Sequence, residues 1–572
     1  MSAITTDAAG ADLAAEIDNL AGFRPRLRVR DLSVAFQTTA GLRPIVQDVS
    51  FDLHPGQCVA IVGESGSGKS VTARTVVGLT GRGARVSAGE LSLHDRDVAG
   101  LSDRQWQAIR GKEVGFILQD ALVSLDPLRP VGAEIAESLR LHGWGDAAAR
   151  TRKVIELLSA VGVPRPELRA RQRPDQLSGG LRQRALIASA LALDPDVVIA
   201  DEPTTALDVT VQAQVLALLE ESKRRGASII LISHDLSVVA QLADHILVMK
   251  DGRVVEQGAA AELLASPREE YTRALIAAVP GEETRGGALS PAGAALLAEA
   301  PPAAVVLDEV VLSARDVTKR FRSSDGSVTT AVDSVSFDLH RGETLGIVGE
   351  SGSGKSTTGR VALALEQADA GTVTLLGQPW SSLSESKRRG LRSRISVVSQ
   401  DPLSSFDPRW NVERILLDAL ERNAFPSASA RAGRIRELLD QVGLPHAVLR
   451  RFPLRLSGGQ RQRIAIARAL AEAPDIIVLD EAVSALDVTI QAQILDLLVV
   501  LQRQHGLSYL FISHDLGVIA HLSHRVLVMK DGVVVESGTP DEIFHRPQEP
   551  YTRELIASIP VFDPRPAQEQ TS

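Results

Sequence analysis

Two runs carry residue types suited to holding phosphate: Gly63-Glu64-Ser65-Gly66-Ser67-Gly68-Lys69-Ser70 and Gly349-Glu350-Ser351-Gly352-Ser353-Gly354-Lys355-Ser356. Each follows an apolar run, Val59 to Val62 or Leu345 to Val348, and precedes a segment expected to be helical. Glycines let backbone N–H groups turn inward around an anion. The lysine neutralises phosphate charge, and the hydroxyl of Ser70 or Ser356 can ligate Mg²⁺. A strand, a glycine-rich turn and a helix in that order form the context this phosphate loop requires.

Downstream of each loop lies an apolar run that ends in two acids. These are Val197-Val198-Ile199-Ala200-Asp201-Glu202 and Ile476-Ile477-Val478-Leu479-Asp480-Glu481. Asp201 and Asp480 can hold Mg²⁺ through its water shell. Glu202 and Glu481 can polarise an attacking water as general bases. An Asp-Glu pair alone is a weak signal, because solvated strand ends often look like this. Twice after a phosphate loop, at matched spacing, it is a strong one.

Stepping from these residues to the elements that hold them, the chain reads as one α/β unit repeated. Lys355 − Lys69 gives an offset of 286, Asp480 − Asp201 gives 279, and Tyr551 − Tyr271 gives 280. The copies are expected over 23–280 and 307–563, with tails at 1–22 and 564–572. Short apolar runs at Cys58–Val62, Val197–Ala200 and Ser228–Ile232 recur at Thr344–Val348, Ile476–Leu479 and Ser508–Ile512. Continuous apolar strands of this length suit a parallel sheet buried on both faces. Ligands then gather at the strands' carboxyl ends. The stretches from Gln119 to Leu177 and from Gln400 to Leu456 are helical in pattern. Residues 281–306 are rich in Gly, Ala and Pro and are expected to be a linker. Ser290-Pro291 could cap a short helix there. If flexible, the linker has an r.m.s. reach of roughly 28 Å.

Composition narrows the function classes. The net charge is 62 − 71 = −9, so no nucleic-acid partner is expected. A basic run, Lys387, Arg388, Arg389, Arg392 and Arg394, reads as a solvated helical face, with contact to lipid headgroups or a partner protein as the alternative. The one cysteine, Cys58, cannot supply an iron–sulfur cluster, a zinc site or an internal disulfide. It reads as a small buried hydrophobe of a reduced, intracellular protein. No apolar stretch reaches the ~18 residues that span a bilayer. The acidic N-terminal region argues against a secretory signal.

Leu177-Ser178-Gly179-Gly180-Leu181-Arg182-Gln183-Arg184 and Leu456-Ser457-Gly458-Gly459-Gln460-Arg461-Gln462-Arg463 make the resemblance specific. They resemble the signature run of ABC-type ATPases, in which helix-opening N–H groups form an anion site for the γ-phosphate. The first copy carries Leu181 where Gln460 keeps the usual residue. The same resemblance assigns Gln119 and Gln400 to the Mg²⁺-sensing glutamine loop. It assigns Thr205-Ala206-Leu207-Asp208 and Ser484-Ala485-Leu486-Asp487 to the loop after the acids, and His234 and His514 to the γ-phosphate switch. Phe36 and Phe321 fall where the family stacks an aromatic on adenine, with core packing as the alternative. Val71 and Thr357 complete the two phosphate sites.

The resemblance implies two P-loop NTPase nucleotide-binding domains. Each would have a RecA-like core, a small antiparallel β subdomain and a helical signature subdomain. Smaller features point to one branch. Ser124-Leu125-Asp126-Pro127 and Ser405-Phe406-Asp407-Pro408 follow the glutamines. Tyr271-Thr272-Arg273 and Tyr551-Thr552-Arg553 end the units. Together these resemble the ATPases of oligopeptide/dipeptide/nickel importers, with two subunits fused. Some members carry a cysteine-rich extension; its absence here argues against a cluster. The resemblance implies ATP and Mg²⁺ as ligands, hydrolysis in an ATP sandwich, and a peripheral place on the cytoplasmic face of the membrane. Its implied partners are two transmembrane permeases and, through them, an extracytoplasmic substrate-binding protein. A tandem ABC ATPase of ribosomes is the alternative, though that group joins its units by a long charged helix.

Overall fold

Apolar strands that cannot face water organise both halves of the chain. The computed structural model describes residues 24–38, 41–118, 124–204, 207–301, 305–322, 326, 328–420, 427–484 and 486–559. They form two compact units, one of residues 24–204 and 214–272, the other of 207–213 and 273–559.

In the first unit a six-stranded sheet runs Arg253–Ala259, His245–Lys250, Cys58–Val62, Ser228–Ile232, Val197–Asp201, Val114–Ile117. All neighbours are parallel except the first pair. The strands Cys58–Val62, Val197–Asp201 and Ser228–Ile232 are buried throughout. Burial on both faces, one of them against helix Lys69–Val76 and strands Leu27–Thr38 and Gly41–Leu53, accounts for their unbroken Val/Ile/Leu runs. Each buried aliphatic side chain contributes roughly 1.5–3 kcal/mol before chain entropy is counted. A second, antiparallel sheet is built on Leu27–Thr38 and Gly41–Leu53. Helices Val131–Leu141 and Ala147–Ala160 occupy the stretch expected to be helical.

The second unit repeats this plan. Its six-stranded sheet runs Ile395–Val398, Ile476–Asp480, Ser508–Ile512, Thr344–Val348, Arg525–Lys530, Val533–Gly538. Only the last pair is antiparallel. The antiparallel sheet is built on Val306–Arg322 and Val328–Arg341. No helix among the described residues is long and apolar enough to cross a membrane.

Cys58 is fully buried, as expected, and burial pushes its thiol pKa far up, so it is neutral and inert. The basic run differs from expectation. Arg388 and Arg392 lie over the Trp380 ring and donate to the Trp380 and Leu363 carbonyls, while Arg394 pairs with Asp475. Only part of that face is solvated, because guanidinium groups reach back to cover an indole and cap free carbonyls.

The joining segment also differs from a free tether over its described length. Asp496, buried in helix Val488–His505, accepts the Leu289 N–H at 2.8 Å and the Ser290 hydroxyl at 2.6 Å. Ser290 caps helix Pro291–Glu299 through the Gly293 N–H. A Cβ on Gly293 would lie 1.9 Å from Asp496 Oδ2, so the approach needs glycine. Thr284 bonds His521 and Arg285 donates to the Ser523 carbonyl. The first unit has Ala217 at the position of Asp496, so the dock exists on one copy only. Asp496→Ala strands a buried N–H, at a cost on the order of 2 kcal/mol. Trypsin should then cut after Arg285 at least about tenfold faster in the native protein; an unchanged rate contradicts this account.

Candidate phosphate-binding site

The strand Cys58–Val62 ends at Gly63, and the chain turns there because a side chain would not fit. Gly63 has φ 142°, and a Cβ on it would lie 2.1 Å from the Met249 carbonyl oxygen. Gly349 repeats both features, with φ 147° and 2.1 Å to the Met529 carbonyl oxygen. The loop Ser65, Gly66, Ser67 and Gly68 then leads into helix Lys69–Val76. Ser351, Gly352, Ser353 and Gly354 lead into Lys355–Ala362. Val71 and Thr357 sit in the first turns.

The lysines turn back into their own loops. Lys69 Nζ donates to the carbonyls of Gly63 at 2.7 Å and Glu64 at 2.8 Å. Lys355 Nζ donates to Gly349 at 2.7 Å and Glu350 at 2.8 Å. Both are buried, and burial holds the Lys355 pKa below its ordinary value. A buried ammonium group in such a loop is suited to compensating an anion.

Each strand carrying the paired acids ends beside the loop. Ser70 Oγ donates to Asp201 Oδ1 at 2.9 Å, and Ser356 Oγ to Asp480 Oδ1 at 2.8 Å. Burial raises both aspartate pKa values, against the lowering effect of the serine bond. Asp201 Oδ2 is buried without a hydrogen-bond partner, as are Ser67 Oγ and Ser353 Oγ. A buried carboxylate oxygen lacking a donor, beside a serine hydroxyl, fits a hard divalent cation such as Mg²⁺.

Glu202 and Glu481 follow the aspartates in left-handed backbone, with φ 52° and 50°. A glutamate held there is strained, and such strain is stored where a side chain must be aimed. His234 Nδ1 lies 3.4 Å from Glu202 Oε1, and His514 Nδ1 lies 3.4 Å from Glu481 Oε1. Gln400 Nε2 donates to Glu481 Oε2 at 2.6 Å. Gln119, Thr205, Ala206 and Ala485 lie outside the described residues, as do the expected tails.

The Ser-Gly-Gly runs open helices, as expected: Gly179–Ala190 and Gly458–Ala469. Ser178 and Ser457 accept the N–H of Leu181 and Gln460. Gln460 Oε1 accepts the Ser457 N–H in return, closing a capping box that Leu181 cannot form. Among the described residues, no hydrogen bond joins Ser178, Gly179 or Gly180 to the phosphate loop of their own unit, nor Ser457, Gly458 or Gly459 to theirs. Phe36 packs partly into the core of its unit, while Phe321 is 42% exposed with Lys319 Nζ 5.2 Å from its ring centroid.

One contact was not foreseen. The Tyr271 hydroxyl accepts the Glu64 N–H at 3.0 Å, and the Tyr551 hydroxyl accepts the Glu350 N–H at 3.2 Å. The signal was present, because both tyrosines recur at one offset. They served only as a family marker, since 207 and 201 residues separate them from the loops they touch.

The chain matches the family described as ABC transporter over residues 46–205 and 332–484. It matches the Oligopeptide/dipeptide transporter, C-terminal region, over 255–300 and 535–571. It is 43% identical over 609 residues to the Oligopeptide transport ATP-binding protein OppD of Mycobacterium tuberculosis, covering 94% of this chain and 99% of that protein. It is 43% identical over 563 residues to the Glutathione import ATP-binding protein GsiA of Salmonella typhimurium, covering 95% and 90%. The GsiA of Escherichia coli O157:H7 is 44% identical, covering 94% and 90%.

The His–Glu pairs predict a pH signature. Burial pulls each imidazole pKa down, but the hydrogen bond and charge of Glu202 or Glu481 outweigh it, so both histidines titrate above the ordinary 6.5. The stability these contacts add is complete below the unfolded value and fades as pH rises through the higher folded one. NMR titration of the nucleotide-free protein should place both histidine midpoints above 6.5. Glu481→Gln removes the charge but keeps the burial, so the His514 midpoint should fall; a midpoint that does not move contradicts the pairing.

Proposed function

Because the chain belongs to the ABC transporter ATP-binding proteins, in their oligopeptide/dipeptide branch, we propose that it is a complete two-site motor in one polypeptide. It hydrolyses ATP as the ATP-binding subunit of an importer. The duplication of the lysine, serine, paired acids and histidine supports two working sites. Lys69, Ser70, Asp201, Glu202 and His234 are matched by Lys355, Ser356, Asp480, Glu481 and His514.

Each phosphate loop is completed by the signature turn of the other unit. One site combines Lys69, Ser70, Gln119, Asp201, Glu202 and His234 with Ser457, Gly459 and Gln460. The other combines Lys355, Ser356, Gln400, Asp480, Glu481 and His514 with Ser178 and Gly180. Lys69 and Lys355 leave their carbonyl partners to neutralise β- and γ-phosphate charge. Ser70, Asp201 and Gln119, with Ser356, Asp480 and Gln400, would hold Mg²⁺, which supplies further charge neutralisation when bound. Glu202 and Glu481 orient water and take its proton, while His234 and His514 hold them in place and contact the γ-phosphate. Catalysis is mainly positioning and charge stabilisation, as phosphoryl transfer requires. ATP contacts made only in the closed form shift the population to closed, and hydrolysis removes them.

Closure and reopening drive two membrane permeases that contact the glutamine loops and following helices. A substrate-binding protein delivers cargo to those permeases from outside. The chain then sits peripherally on the cytoplasmic face. Peptide or glutathione-type cargo is favoured by the names of the relatives. The ribosomal alternative is not favoured, because the C-terminal regions match the oligopeptide/dipeptide family.

Single Glu202→Gln and Glu481→Gln variants should each keep no more than about half of the ATP turnover. The double variant should lose at least about 100-fold, the usual range for a general base. Full turnover in either single variant sinks the two-site reading. Affinity purification from the native host should retain two hydrophobic permeases; recovery of ribosomes instead contradicts the importer reading.

A further inference from the structure

The peptide plane between Gly63 and Glu64 is held at both ends. Its carbonyl, that of Gly63, accepts Lys69 Nζ at 2.7 Å. Its N–H, that of Glu64, donates to the Tyr271 hydroxyl at 3.0 Å. The second unit repeats this arrangement. The Gly349 carbonyl accepts Lys355 Nζ at 2.7 Å, and the Glu350 N–H donates to Tyr551 at 3.2 Å. The tyrosine fixes this peptide through its N–H end, so its orientation does not depend on the lysine alone.

Each tyrosine is itself anchored. Lys250 Nζ lies 4.7 Å from the Tyr271 ring centroid, and Lys530 Nζ lies 4.4 Å from that of Tyr551. The helices that carry them, Glu270–Ala277 and Pro550–Ala557, are placed by a glutamate on the last strand of each sheet. Glu256 accepts the N–H groups of Arg268 and Glu269 at 2.7 and 3.2 Å. Glu536 accepts those of Gln548 and Glu549 at the same distances. Burial pushes the Tyr551 hydroxyl pKa up to about 12, so it stays protonated at working pH. All four residues, Glu256, Tyr271, Glu536 and Tyr551, fall in the stretches matched to the C-terminal region of the oligopeptide/dipeptide family.

We propose that Tyr271 and Tyr551 are positioning residues for nucleotide binding, through which each C-terminal region holds its own phosphate loop ready for phosphate. The tyrosine touches no reacting atom. It orients the first peptide of the loop, so the loop's amides need less ordering when ATP arrives. Moving the C-terminal helix away loosens the loop and weakens binding without touching Glu202, His234, Glu481 or His514. The C-terminal region is thereby a control on nucleotide affinity rather than on the chemical step. This rests on the loops binding ATP.

Tyr→Phe keeps the ring and the stacked lysine and removes one hydrogen bond. In the full chain, the double variant Tyr271→Phe/Tyr551→Phe should raise both the KM for ATP and the Kd for ADP about three- to tenfold. Its kcat should stay within about twofold. A second double variant, Lys250→Met/Lys530→Met, should shift both constants in the same direction by a smaller factor. Equal Kd and KM in wild type and Phe variant overturn the proposal. So does a fall in kcat at unchanged KM, which would place the hydroxyl in the chemistry. If the unmutated protein binds no ATP, the nucleotide reading falls and this one with it. Normal wild-type binding with no effect of Phe sinks this proposal alone.

Discussion

A lysine ammonium buried at the end of an apolar strand has to be paired, and both halves of this molecule are arranged around that requirement. Lys69 and Lys355 are 7% and 5% exposed. Charged groups are almost never so buried unless compensated. Here two backbone carbonyls of the lysine's own loop accept its hydrogens, and at Lys355 the nearby Glu481, Asp208 and Asp480 carboxylates also favour the charge. Those carbonyls point inward only because Gly63 and Gly349 adopt backbone that a side chain could not share. The serine hydroxyl one residue on is fixed by the first of the paired acids, Asp201 or Asp480. The glutamate after that aspartate is fixed by strain and by histidine. Lysine, serine, aspartate, glutamate and histidine are thus each held by a neighbour within their own unit.

The parallel sheet makes this economical. Strands buried on both faces can bring polar groups together only at their ends. In the first unit, Cys58–Val62, Val197–Asp201 and Ser228–Ile232 are adjacent, so loop lysine, paired acids and histidine meet with little further structure. The second unit reaches the same result with Thr344–Val348, Ile476–Asp480 and Ser508–Ile512.

Much of this was legible in the residues. Six functional strands were placed within one residue of their observed ends, because continuous Val/Ile/Leu runs followed by Gly or Asp-Glu admit few other readings. What escaped the sequence depends on tertiary contact. Nothing in the local sequence marks Asp496, yet its buried carboxylate holds residues 289–290 and leaves no space for a side chain at Gly293. A Gly/Ala-rich stretch reads as flexible by composition, while its small residues are what permit close packing. Arg388 and Arg392 read as solvated charge because Trp380 precedes them by a turn whose geometry the spacing does not reveal. Tyr271 and Tyr551 were visible as a repeat, but their bond to a backbone N–H two hundred residues away leaves no trace in local pattern.

One chain is expected to hold two nucleotide sites, both able to bind ATP. Equilibrium binding of ATP to the Glu202→Gln/Glu481→Gln protein counts them directly, since turnover is suppressed while both loops stay intact. Two ATP per chain are predicted, falling to one when Lys69→Ala is added. A stoichiometry of one in the protein with both lysines present would contradict the claim.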